Sequence, residues 1–192
     1  MVTEIRIYFE GADDLREGFR NFFREIEAAI GRPPNLIAGG GRERAIGDFR
    51  KSLRSHPAAL NLLLIDSEGP DTGALFEMTC QPLRIPETSK DRVFWMVQCM
   101  ECWFLADIDA LCQHYGPDVR GALHGNPRVE EIPKKDAIER LDAATRRRFQ
   151  RRYHKTKDAL QLLKRIRPER VKQAAPHCRR LFDAVAQLLS NP

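Results

Sequence analysis

The order of apolar patterns in this sequence predicts an α/β protein: a mainly parallel four-stranded sheet with flanking helices and a helical appendage at its C-terminus. Three observations predict it. Strand-like and helix-like periodicities alternate through residues 1–117, the signature of a doubly wound layer. The segment AALNLLLID, ending at Asp66, is nearly all apolar, as a central strand covered on both faces requires. Beyond residue 117 no strand candidate remains and the pattern is wholly helical. The expected division is an α/β domain over residues 1–117 and a helical subdomain over 118–192 packed on it.

The first strand is Glu4 to Glu10, EIRIYFE, which alternates at period two through Ile5, Ile7 and Phe9 before Gly11. From Asp13 or Asp14 as N-cap, Leu15, Phe19, Phe22, Phe23, Ile26 and Ile30 recur at helical spacing. They predict one amphipathic helix, ended by Gly31 and Pro33-Pro34. Asn35 to Ala38 is a short strand leading into Gly39-Gly40-Gly41, and Arg42 to Leu53 forms a helix through Ala45, Ile46 and Phe49 that His56-Pro57 stops. After the third strand, residues 67–91 are rich in Gly, Pro, Thr and Ser and read as a long loop, a feature that is often functional. VFWMV, Val93 to Val97, is the fourth strand. It passes into a single helix, CMECWFLADIDALCQHY, ended by Gly116-Pro117. Gly121 to Pro133 is a connector, and helices are expected after Pro133, over Ala159 to Ile166 and over Val171 to Leu189.

Apolar residues make up 42% of the chain and charged residues 31%, an ordinary globular balance. No stretch approaches the ~18 apolar residues of a membrane span, and the N-terminus lacks the basic and apolar regions of a secretory signal. A cytoplasmic protein without a membrane partner is expected. Five cysteines show no disulfide spacing. Cys99-Met-Glu-Cys102 satisfies C-x-x-C, but it lies in an apolar helical stretch with no second pair, so core thiols are expected rather than zinc ligands.

The formal net charge is +5, and the excess concentrates late. RRRFQRRYHKTK, residues 146–157, holds seven Lys/Arg and no acid, with Phe149 and Tyr153 interleaved. Arg147, Arg148, Arg151, Arg152, His154 and Lys155 are candidates to neutralise nucleic-acid phosphates while the rings stack on bases. Arg42, after the glycine turn, can assist a phosphate held at a helix N-terminus. A plain tight turn explains the glycines equally well, and the full P-loop pattern is absent.

The acids sit where such a sheet binds ligands, at the carboxyl ends of its strands. Glu10 closes the first strand, Asp66 and Glu68 close the third, and Glu101 and Asp107 follow the fourth. Converging carboxylates repel one another and lose hydration, a cost that divalent cations offset. Oxygen donors without a His/Cys set favour Mg²⁺ or Mn²⁺.

Ile7-Tyr8-Phe9-Glu10-Gly11 with Asp14 resembles the Glu-Gly-x-x-Asp opening of Toprim domains, and Ile65-Asp66-Ser67-Glu68 resembles their Asp-x-Asp strand end. With MVQCMECWFLAD, the GGGR turn and RYHK, the likeness spans nearly the whole chain. It is narrower to a Toprim-like family of uncharacterised bacterial proteins, domain of unknown function 4276, related to nucleases of the overcoming-lysogenization-defect type. The resemblance implies a Toprim-like (Rossmann-like) fold. It implies Glu10 as general acid/base or metal ligand and Asp66 as metal ligand. Glu68 takes the second Asp position, a departure by one methylene, and Glu101 is a further ligand. It also implies an ATPase partner in phage defence.

The expected activity is Mg²⁺- or Mn²⁺-dependent hydrolysis of nucleic-acid phosphodiesters. A rival is a non-catalytic adaptor that docks nucleic acid or an ATPase and uses its acidic rim structurally. A second rival is phosphotransfer on a mononucleotide.

Overall fold

In the computed structural model the described residues are 4–123, 127–149 and 153–190, without the side chains of 147–149, 189 and 190. Four strands, β1 (Ile5–Phe9), β2 (Asn35–Ala38), β3 (Leu60–Asp66) and β4 (Val93–Met96), form one sheet in the order β2-β1-β3-β4. Every pairing is parallel, with Phe9 opposite Ala38 and Leu64, and Asp66 opposite Met96. All seven residues of β3 are buried, as its unbroken apolar run requires of a strand covered on both faces.

The helices are α1 (Leu15–Phe22), α2 (Arg24–Ile30), α3 (Arg42–Ser55), α4 (Leu75–Thr79), α5 (Met100–Ala106), α6 (Ile108–Tyr115), α7 (Val119–Ala122), α8 (Lys134–Phe149), α9 (Lys155–Leu163), α10 (Pro168–Ala174) and α11 (Pro176–Ser190). The period of two along the strands sorts the core into two layers. Ile5, Ile7, Phe9, Leu62 and Leu64 face α1, α2, α5 and the C-terminal helices, where they join Phe22, Trp103, Leu162 and Leu181 in one continuous cluster. Tyr8, Leu63, Ile65 and Trp95 face the other way, onto Ile46 and Phe49 of α3 and Phe76 of α4. The C-terminal helices thus share a core with the sheet.

The structure differs from the sequence reading in four places. The helix expected after Asp13 breaks at Phe23 (φ −94°, ψ 19°), which lets the adjacent rings of Phe22 and Phe23, 5.4 Å apart at their centroids, both enter the core. The helix expected over 99–115 breaks at Asp107, whose side chain caps α6 by accepting from the Ala110 N–H. The segment 67–91 contains α4 and a 3₁₀ turn, Glu87–Arg92. The last helix begins only at Pro176, because proline has no N–H with which to continue α10 and its ring clashes with the preceding turn.

One close approach ties the two halves of the chain together. A Cβ built on Gly18 of α1 would lie 2.6 Å from Leu163 Cβ of α9. Gly18→Ala should therefore push these helices apart and cost about 1 to 3 kcal/mol of unfolding free energy. Urea denaturation monitored by far-UV circular dichroism measures this; an unchanged midpoint would contradict the packing.

Candidate functional site

The order β1-β3 puts two strand ends side by side. The Glu10 N–H donates to the Leu64 carbonyl at 3.1 Å, and the Asp66 N–H donates to Glu10 Oε2 at 3.3 Å. Asp66 is only 5% exposed, and its Oδ1 accepts from the Met100 N–H, at the first residue of α5, at 3.0 Å. Burial, then the charges of Glu10 and Glu101, push its carboxyl from an ordinary 3.8 up to about 7, against the opposing pull of Lys155.

Glu101, on α5, has no exposed surface. Its Oε1 accepts from the Tyr153 hydroxyl at 2.9 Å and lies 3.9 Å from Lys155 Nζ. Its Oε2 is buried with no hydrogen-bond partner among the described residues. Burial and the neighbouring Glu101 carboxylate push the Tyr153 phenol well above its ordinary range, so Tyr153 is a fixed donor.

Glu68 is used differently. It adopts a left-handed backbone (φ 64°), and so does Gln98 across the strand ends (φ 67°). The two are joined by the Glu68 N–H donating to the Gln98 carbonyl at 3.1 Å. The Glu68 carboxylate pairs with Arg42 at 3.3 Å and with Lys134 at the start of α8. Burial disfavours the Lys134 charge, but the bond to Glu68 together with the charges of Glu68 and Asp66 outweighs it and holds the ammonium above its ordinary range. Arg42 also reaches Glu10 Oε2 at 3.4 Å and donates to the Asp66 carbonyl at 2.8 Å.

A cavity of about 250 Å³ opens beside Glu10, Asp14 and Asp66, walled also by Gly11, Ala12, Leu15, Gly40, Met96, Met100, Lys155 and Thr156. Gly11 (φ 134°) and Gly40 (φ 74°) take conformations that favour glycine, and the Gly40 N–H donates to the Gly11 carbonyl at 2.8 Å. Among the described residues no three His, Cys, Asp or Glu side chains stand close enough together to hold a metal ion.

Of the residues singled out in the sequence, Glu10, Asp66, Glu101, Arg42 and Lys155 come together here, and Glu68 lies at the edge in its ion pairs. Asp107 does not belong to this rim: Arg167 holds it at 2.6 and 2.8 Å. His154 is the N-cap of α9, its Nδ1 facing Thr156 Oγ1 at 2.9 Å. Arg147 and Arg148 lie on α8 with side chains outside the described set, and Arg151 and Arg152 lie outside the described residues altogether. Tyr153 is not a base-stacking ring, because its hydroxyl is turned inward onto Glu101. All five cysteines are free, and Cys99 and Cys102 are buried in the core. Sequence reasoning missed Lys134 and gave Tyr153 a different role, because their partners lie 66 and 52 residues away.

Parallel strands that deliver carboxylates to one edge, beside a cavity roofed from the helical layer, define a Rossmann-like α/β protein with a buried acidic site. The chain belongs to the family described as Domain of unknown function (DUF4276), which matches over residues 15–186. No curated protein and no solved structure matches it.

Asp66 carries a pH dependence. Its folded-state pKa is raised above the unfolded value, so its contribution to stability is fully present below about pH 4 and is lost as pH rises to about 7. Asp66→Asn removes that loss. The variant should gain on the order of 3 kcal/mol over wild type on going from pH 4 to pH 8. Parallel thermal melts at the two pH values measure it; a constant difference would refute the assignment.

Proposed function

We propose that this chain is a divalent-metal-dependent nuclease of the Toprim type, hydrolysing nucleic-acid phosphodiesters at the rim of Glu10, Asp66 and Glu101. The observation that carries the reading is the buried Asp66 carboxyl, its ionisation suppressed by two neighbouring acids, in the wall of a cavity that Lys155 also lines. Structural acids are satisfied by hydrogen bonds or cations; here Glu101 Oε2 is left without a described partner. Oxygen donors of this kind suit a hard cation, Mg²⁺ or Mn²⁺; no three described side chains close on one point, so Glu10 and Asp66 would hold the ion only with water or substrate oxygens completing its shell. When bound, the ion would supply Lewis-acid polarisation of the phosphoryl group and a more acidic water.

The chain's own residues have separable tasks. Tyr153 and Lys155 orient Glu101; Arg42 orients Glu10. Lys155, whose side chain is 57% exposed, can also meet a substrate phosphate; Arg147, Arg148, Arg151, Arg152 and His154, from the same basic run, are proposed as further contacts to the polymer. The same reading includes an ATPase partner in phage defence, which the Toprim likeness implies. A second reading has one observation in its favour: Arg42 and Lys134 already neutralise Glu68, and Arg42 also pairs with Glu10, as an adaptor with a structural rim would require.

The deciding measurement incubates the protein and its Glu10→Gln variant with single- and double-stranded DNA, tRNA and mixed RNA, in Mn²⁺, Mg²⁺ or chelator. Metal-dependent cutting that falls at least ~100-fold in the variant is expected, the scale of losing one preorganised catalytic group. If nothing is cut and Mn²⁺ leaves the melting temperature unchanged, the adaptor reading replaces the nuclease. Lys155→Ala should weaken nucleic-acid binding evenly across sequences and lower the salt slope of log K by about 1, read by titration at several salt concentrations.

A further inference from the structure

The depth and size of the cavity bear on what can reach these acids. Asp66 is 5% exposed and forms part of the cavity's wall, whereas Lys155 and Thr156, both exposed, mark the open side. The start of α9 overhangs the strand ends at this point: Lys155 reaches from the opening to the buried Glu101, 3.9 Å away. A phosphodiester that reacts at Asp66 must come within hydrogen-bond reach of it, about 3 Å, and so must enter the cavity that Lys155 and Thr156 of α9 partly cover.

The space available is about 250 Å³, below the ~300 to 1,000 Å³ of ordinary ligand pockets. That is room for roughly one nucleotide and not for a base pair in its stack. The walls match such a guest. Leu15, Met96 and Met100 give an apolar side for a base or sugar, and Lys155 gives a cation for a phosphate, whose charge Glu10, Asp14 and Asp66 in the same wall oppose until a cation offsets them. In an intact duplex the base is paired and stacked, and extruding it costs a few kcal/mol; in a single strand or a loop that cost largely disappears.

We propose that the substrate is single-stranded nucleic acid, a free end or an unpaired loop, whose reacting nucleotide enters the cavity alone, and that intact duplex is excluded. This rests on the nuclease reading of the same site, but it is tested separately. Fluorescence anisotropy, with Ca²⁺ in place of Mg²⁺ so that binding is read without turnover, compares a labelled single strand, a hairpin with an unpaired loop, a blunt duplex and a mononucleotide competitor, in DNA and RNA forms. Cutting of the same polymers in Mn²⁺ is read on gels.

Single strand and hairpin should bind at least tenfold more tightly than blunt duplex, with cuts confined to unpaired positions. Thr156→Trp, a bulky side chain at an exposed position of the opening, should weaken single-strand binding at least tenfold while the melting temperature stays unchanged. Equal binding of duplex and single strand overturns the proposal, and so does a mononucleotide that binds as tightly as the strand, or a Thr156→Trp protein that binds normally. Cuts within blunt duplex do the same. If no polymer is cut at all, the nuclease reading falls, and the anisotropy series still decides whether the cavity selects unpaired strands.

Discussion

The structure turns on one constraint: a carboxylate almost removed from water, with two more carboxylates close enough to oppose its ionisation. Asp66 is held there by the pairing of β3 with both β1 and β4, so it cannot retreat without breaking the centre of the sheet. The surrounding groups address that charge only in part. The Met100 N–H bonds Oδ1, and Lys155 favours the ionised form, but burial with Glu10 and Glu101 dominates. A fold under selection for stability alone would place an apolar residue there, because a buried charge lacking a full complement of partners is costly. Perturbed ionisation in a cleft, with a stated charge partner, is a feature that catalytic sites use, and the proposed function rests on it.

Around that centre the cations are arranged asymmetrically. Arg42, supplied by the first turn of α3, gathers Glu10, Glu68 and the Asp66 carbonyl. Lys134, supplied by the helical layer, takes the other side of Glu68. Both Glu68 and Gln98 hold left-handed backbone conformations, which are costly for residues other than glycine and persist only where the surroundings over-determine them. Here the surroundings are explicit: a backbone bond joins the two, the Lys134 N–H donates to Gln98 Oε1 at 3.2 Å, and Ser67 Oγ accepts from the Gln98 N–H at 2.8 Å. The turn that ends β3 is therefore fixed by the start of α8, and helical layer and acidic edge form one construction.

Much of this was legible in the sequence because it depends on local periodicity. The alternation of EIRIYF and the apolar run of β3 specify strands whatever surrounds them, and a strand's end is where an α/β sheet presents ligands. Glu10 and Asp66 could be placed on one rim for that reason. Helix breaks were less legible. The break at Asp107 depends on Arg167, 60 residues later, and the break at Phe23 on the packing of rings from α5 and α11 against Phe22. The surroundings of Glu68 were not legible: its spacing from Asp66 could be read, but its left-handed backbone and its Lys134 partner, 66 residues distant, set where the carboxylate goes. Tyr153 was misread for a similar reason, since a ring inside a basic run looks exposed until a buried carboxylate claims its hydroxyl.

The helical region is best understood as half of the site rather than as an appendage to it. Phe182 of α11 packs on Phe22 of α1 and on Phe23 at the break before α2, and Gly18 admits Leu163 at a distance no side chain would allow. These contacts hold α9 over the sheet's carboxyl edge. Its first residues then bring Tyr153 and Lys155 onto Glu101, while His154 caps the helix and aligns Thr156. The sheet alone would present Asp66 to open solvent, where its ionisation would be ordinary. Covering it from α9 lowers its hydration, raises its pKa and shapes a cavity around it. The electrostatic character of the site is therefore a product of the packing between layers, and a change that loosens α1 from α9 should be felt at Asp66 as well as in the fold's stability.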